Sequence, residues 1–209
     1  MHAAYFAAVM LMATALAPRE PAMLMGTPAD STVFRFSRAS HFDVVTGKAG
    51  LFGFAGHRHR IRADSVGGEI VYYADSTALS HVTATIPVTS LQVLTPHDTS
   101  ELRQVREAML TDVLHPDQHA NITFDARLTS LDGDSASLMA TLTLEGVSRT
   151  FPISATLRLT PASLVASSRF TVKQSDFGIK PYSGGPMGTV KVADAVTFEI
   201  EAVAVRAGS

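Results

Sequence analysis

Two histidines one residue apart, His57 and His59 in Gly56-His57-Arg58-His59, form the pair best placed to do chemistry. On a strand, side chains at i and i+2 share a face, so the two imidazoles would converge on one metal ion. A third ligand would have to come from His41, His81, His97, His115, His119 or a carboxylate. Inside an apolar cavity the same pair would instead form a polar end for a quinone or another head group. On an outer face it would only hydrogen-bond. Asp125 and Asp176 have no carboxylate partner at catalytic spacing. No serine sits in a Gly-X-Ser-X-Gly elbow, and Gly184-Gly185-Pro186-Met187-Gly188 follows neither a phosphate-loop nor a dinucleotide pattern. Cysteine is absent, which removes disulfides, thiolate metal sites and a cysteine nucleophile. The sequence therefore predicts no catalytic set, and a metal-binding or metal-dependent barrel using His57 and His59 is the alternative reading.

The elements that must hold these residues are strands. Apolar residues alternate with polar ones along Val82/Ala84/Ile86/Val88, Ile122/Phe124/Ala126/Leu128 and Leu138/Ala140/Leu142/Leu144. They do so again along Phe151/Ile153/Ala155/Leu157/Leu159, Leu164/Ala166/Ser168/Phe170/Val172 and Val196/Phe198/Ile200/Ala202/Ala204. A period of two is how half-buried antiparallel strands read. With Val33 to Val45 and Leu51 to Tyr73, about eight strands result, joined by turns at Asp132-Gly133-Asp134, Glu145-Gly146 and Thr160-Pro161-Ala162-Ser163. From Ser100 to Leu114 the spacing of Leu102, Val105, Met109, Leu110, Val113 and Leu114 turns helical, with Asp98 and Glu101 as a capping box and Pro116 past the end. This helix is expected to pack on the barrel or cover an opening. The predicted fold is all-β: a single extended antiparallel eight-stranded lipocalin-like barrel with one amphipathic helix inserted near residues 99–115. Closure removes sheet edges that would otherwise pair with other chains. The inward sets mix Ala, Ser, Val and Leu with occasional Phe and contain no Trp, so they fill the interior incompletely and a cavity is expected.

A chain of 209 residues fits one such domain. Its formal charge of −2 offers no broad attraction for phosphate backbones or anionic membranes, so no nucleic-acid partner is expected. Arg58, Arg60 and Arg62, the densest basic run, alternate onto one face and read as solvated barrel exterior. Ala3 to Ala17 is apolar and uncharged, the length of a signal-peptide core and short for a bilayer span. The expected organisation is a signal peptide at 1–22, a linker at 23–31 and the barrel at 32–207, in a periplasmic or secreted protein without stable membrane insertion.

Several segments together resemble the YceI-like family of lipocalin-shaped, polyisoprenoid-binding proteins. They are Gly50-Leu51-Phe52-Gly53-Phe54-Ala55-Gly56, Pro87-Val88-Thr89-Ser90-Leu91, Asn121-Ile122-Thr123-Phe124, Leu142-Thr143-Leu144-Glu145-Gly146-Val147-Ser148-Arg149, and Asp176-Phe177-Gly178-Ile179 followed by Val192-Ala193-Asp194-Ala195-Val196. The resemblance implies an exported binding protein, not an enzyme, that holds an isoprenoid, quinone or other lipid-like molecule in the barrel and uses no cofactor. A homodimer is expected only by analogy with relatives. The candidate ligand contacts are Phe52, Phe54, His57, His59, Phe124, Leu142, Phe170, Phe177 and Phe198. Gln174 stands where many relatives place an arginine, which implies a different head-group preference in this chain.

Overall fold

In the computed structural model the described residues are 30–49, 58–94, 99–184 and 190–208. The chain forms β1 (Ser31–Phe36), β2 (His41–Ala49), β3 (Arg60–Ala63), β4 (Gly67–Tyr73), β5 (His81–Pro87) and β6 (Leu91–Val93). A helix, α1 (Thr99–Ala108), follows. Then come β7 (Asn121–Asp132), β8 (Ser135–Leu144), β9 (Val147–Leu159), β10 (Ser163–Lys173), β11 (Ser183–Gly184) and β12 (Val190–Arg206). All pairings are antiparallel, and the pairing of β1 with β12 closes the ring β1-β4-β5-β7-β8-β9-β10-β12. The predicted eight-stranded barrel is therefore the observed one.

The short strands exceed eight because three neighbouring barrel strands bend at one level. Both β1 and β2 run along the same edge of β12, β1 pairing Phe36 with Ala204 and β2 pairing His41 with Glu201. Between them, Val203 keeps its bonds across the bend: its carbonyl accepts from the Ser37 amide at 2.8 Å and the Ser40 hydroxyl at 3.0 Å, and its amide donates to Ser40 Oγ at 3.0 Å. The next strand bends between β3 and β4, where the Asp64 amide donates to the Ser90 carbonyl. The third bends between β5 and β6 through a 3-10 turn at Val88–Ser90. Serines satisfy the backbone groups that bending frees, which is why the kinks cost the ladder little. Apolar alternation continues through such bends, so the sequence shows one long strand where the fold has two.

Below this corner, β2, β3 and β6 extend the wall, while the β5–β7 ladder stops at Pro87 and Asn121. The gap between β6 and β7 is covered by α1. Its first ten residues are α-helical as expected, but Met109–Val113 widen into a π-turn before Leu114 ends the segment. Arg106 fixes the helix, donating from Nε to the Leu91 carbonyl at 3.1 Å and from an Nη2 to the Thr89 carbonyl at 2.8 Å. At the far end, His115 Nδ1 lies 2.9 Å from Glu145 Oε2, joining the segment to the β8–β9 hairpin. That hairpin turns through two positive φ angles, 48° at Glu145 and 71° at Gly146, the geometry of the favoured two-residue loop. Asp98, the proposed helix cap, lies outside the described residues. Among the described residues no helix is long and apolar enough to cross a membrane.

The inward sets are those the alternation gives, with Leu142, Leu164, Ala140 and Ala204 buried, while Leu159 at the end of β9 is exposed. Outside, Arg60 and Arg62 are not independently solvated. Arg62 donates from Nε and an Nη2 to the two oxygens of Asp43 at 2.7 and 2.8 Å, and Arg60 donates to Asp43 at 2.7 Å and to Glu199 at 2.8 Å. Asp43 itself is only 4 % exposed. Burial on its own would raise its pKa, but the hydrogen bonds and positive charges of Arg62 and Arg60 outweigh this and hold the carboxyl below the usual aspartate range.

Candidate functional site

Among the described residues two chambers lie along the barrel interior. The larger, of about 490 Å³, lies within the β2–β3–β6 extension and against α1. From the strands Val44, Ile61, Leu91, Leu144, Val192 and Val196 line it. From the helical segment Val105, Ala108, Met109, Val113 and Leu114 do so, which explains the helical spacing of apolar residues: the inner face of α1 is a chamber wall. Polar groups gather in the same chamber, namely Thr46, His59, Glu101, Gln104, Gln174 and Tyr182. The smaller chamber, about 120 Å³, has an almost wholly apolar wall including Phe36, Ile70, Ala84, Leu128, Leu157 and Ala166. Ile122 and Phe198 line both chambers and form the partition.

Aromatic rings narrow the lumen at that level. Phe170 stacks on its cross-strand neighbour Phe198 with centroids 5.0 Å apart and planes 5° from parallel. It also meets Phe124 at 6.1 Å and Phe151 at 5.5 Å. Phe151, Phe170 and Phe198 sit on the neighbouring strands β9, β10 and β12, and Phe124 reaches Phe170 from β7, three strands further round the ring. Such offset and stacked pairs gain about 0.5–1.5 kcal/mol beyond area burial, which holds the rings together at this level.

Of the candidate contacts, Phe124, Leu142 and Phe170 line the smaller chamber, Phe198 lines both, and His59 lines the larger. Phe177 is placed elsewhere: it is 1 % exposed in the packed core and lines neither chamber. Phe52, Phe54 and His57 lie outside the described residues. His59 is positioned by a reciprocal pair, its amide donating to Thr46 Oγ1 at 3.1 Å and its carbonyl accepting from the Thr46 amide at 2.9 Å. Among the described residues no three His, Asp or Glu side chains are grouped as a metal ion would need. The helix residues Glu101, Gln104, Val105 and Ala108 are chamber residues that the strand-centred reading missed. The signal was present in the apolar stripe of the helix, given that it covers an opening.

Packing explains why Phe177 sits where it does. The 3-10 turn Gln174–Phe177 ends at Gly178 with φ 75°, a left-handed cap that suits glycine. A bulge in β12 between Val192 and Val196 receives this turn. Asp194, in the bulge, accepts from the Ser175 hydroxyl at 2.6 Å and the Ser175 amide at 2.8 Å, and these bonds hold its carboxyl below the usual range. Gln174 Nε2 donates to the Ala193 carbonyl at 2.8 Å. The segment that resembles the family's C-terminal signature is a turn locked onto a bulge, with Gln174 at the chamber wall and Phe177 packed in the core.

A YceI-like domain matches residues 27–204, most of the chain. The chain belongs to the YceI-like family. Solved structures of similar fold include BcnA of Burkholderia cenocepacia, at 16% identity and TM-score 0.64 over 80% of this chain and 98% of that one. A polyisoprenoid binding domain from Saccharophagus degradans, implicated in plant cell wall breakdown, aligns at 11% identity and TM-score 0.59 over 83% and 98%. The Campylobacter jejuni YceI protein aligns at 17% identity and TM-score 0.55 over 69% and 83%. No curated protein matches the sequence of the chain.

Because α1 forms one wall of the larger chamber, its tether bears on exchange with solvent. Replacing Arg106 with alanine removes both bonds to the carbonyls of Leu91 and Thr89. The expected cost is about 1 kcal/mol, at the low end for charged hydrogen bonds because the site is partly solvated. Hydrogen exchange of amides 99–113 should accelerate while exchange in β7–β10 stays unchanged; uniform acceleration would show that the helix is not a separate opening unit.

Proposed function

We propose that this YceI-like chain is an exported, non-catalytic binding protein that carries an isoprenoid, quinone or other lipid-like molecule in the larger chamber. The observation that carries this reading is the chamber itself: about 490 Å³, walled by aliphatic side chains and covered by an amphipathic helix. Its volume lies in the range of small-molecule sites, and its mostly apolar lining carries a small number of polar side chains. The apolar tail lies against Val44, Ile61, Leu144, Val105 and Met109. The head group lies among His59, Gln104, Gln174 and Tyr182. Neutral hydrogen-bonding groups at Gln104, Gln174 and Tyr182 favour an uncharged, oxygen-bearing head such as a hydroxyl or quinone carbonyl over a pyrophosphate. Each buried methylene contributes about 0.8 kcal/mol, so an alkyl tail supplies most of the affinity and few polar contacts are needed. Export is supported by the uncharged apolar stretch Ala3–Ala17.

The test is organic extraction of protein purified without detergent, read by mass spectrometry, followed by titration of the stripped protein with farnesol and longer prenols. An apolar molecule in the extract, or saturable binding of a prenol, is the expected result. Neither an extracted ligand nor saturable binding would overturn the reading.

A further inference from the structure

The partition between the chambers gives the barrel a property beyond holding a tail. We propose that the Ile122–Phe198 waist is a length gauge: it stops a bound tail at the end of the larger chamber and makes Phe198 the residue that sets the longest tail accepted. The inference rests on the apolar-ligand reading above and deepens it.

Three observations carry it. Ile122 and Phe198 line both chambers, so a tail advancing from the helix-covered chamber meets them first. Phe198 cannot swing away freely, because its ring lies flat on Phe170, which is held in turn by Phe124 and Phe151. Beyond the waist the chamber of about 120 Å³ is lined almost entirely by carbon, so water has few partners there. This apolar space is an unused site for more tail, because burying further carbon in it would be favourable if the waist let the carbon through. Stacked rings at a shared wall thus separate the length that binds from the length that the barrel has room for. Removing the Phe198 ring joins the two spaces.

The experiment measures dissociation constants of the stripped protein for a graded series of linear prenols, from geraniol through farnesol and geranylgeraniol to solanesol. For the wild-type chain, affinity should strengthen by about tenfold or more with each added unit until the chamber is full, then level off or weaken. In Phe198→Ala the strengthening should continue to at least the next longer prenol, with the short prenols bound as before or more weakly. Phe198→Leu, which keeps an apolar side chain while losing the stack, should shift the limit the same way, and Ile122→Ala tests the opposite wall should either fail to fold. Circular dichroism and cooperative unfolding establish folding of each variant. An identical length limit in folded variants and wild type would overturn the gauge while leaving the carrier intact. Saturable binding of no prenol by the wild-type chain would overturn the gauge, and together with an extract free of apolar ligand it would overturn the carrier reading as well.

Discussion

Binding of a prenol is expected to weaken by about a hundredfold when Ala108 is replaced by tryptophan. Ala108 is the smallest residue of α1 facing the larger chamber, and a side chain grown from it enters space enclosed by Val44, Ile61, Leu144 and Val196. An indole there displaces several carbons of tail at about 0.8 kcal/mol each, and a loss of about 3 kcal/mol corresponds to the expected factor. The helix tolerates the change because its partner across that face is cavity rather than packed core. Arg103→Trp, on the exposed face of the same helix, serves as the control and should leave affinity unchanged. The chain contains no tryptophan, so the introduced indole is also its sole such fluorophore. Its emission should shift to the blue in Ala108→Trp and not in Arg103→Trp. Equal affinities in the two variants would show that the ligand does not occupy this chamber.

The second large effect is on stability. Asp43→Asn keeps the shape of a side chain that is 5 % exposed and removes the charge facing Arg60 and Arg62, whose side chains are 38 % and 32 % exposed. Breaking a fully buried pair costs about 3–5 kcal/mol; partial solvation of the guanidinium groups reduces this to about 2–3 kcal/mol here. For a domain of this size that is a fall in Tm of about 5–10 °C. The pH dependence has a fixed sign. Because the folded pKa of Asp43 is depressed, its stabilisation is present above the unfolded value near 3.9 and is lost as pH falls through the folded value. The stability difference between wild type and Asp43→Asn should therefore be constant through neutral pH and shrink below about pH 4. Denaturant melts across pH check it, and a difference that persisted unchanged into strong acid would assign the effect to something other than the carboxylate charge.

Both predictions depend on partners that the sequence hides. Alternation placed Phe124, Leu142, Phe170 and Phe198 on the inward face correctly, because a side-chain period of two follows from strand geometry alone. The helix between β6 and β7 was equally legible from its apolar stripe. Alternation does not say which inward residues meet across a barrel, so the Phe124–Phe170–Phe198 waist and the division of the lumen were invisible. The same holds outside: Arg60 and Arg62 read as a solvated run because Asp43, 17 and 19 residues away, becomes their neighbour only through the β2–β3 register. Phe177 misleads for another reason. A short motif rich in aromatic and glycine residues looks the same whether its ring faces the lumen or packs beneath a turn, and here the Phe177 ring lies in the packed core.

The ring of strands is sealed where β1 meets β12, through Phe34 opposite Arg206, Arg35 opposite Val205 and Phe36 opposite Ala204. The same final strand also supplies the partner edge for β2 and β10. A polypeptide threaded or synthesised from its amino end must therefore keep β1, β2 and β10 waiting until the last strand emerges. Until then the two chambers are an open trough of apolar side chains, and closure of so long a loop is slow. That interval exposes the nascent chain to aggregation.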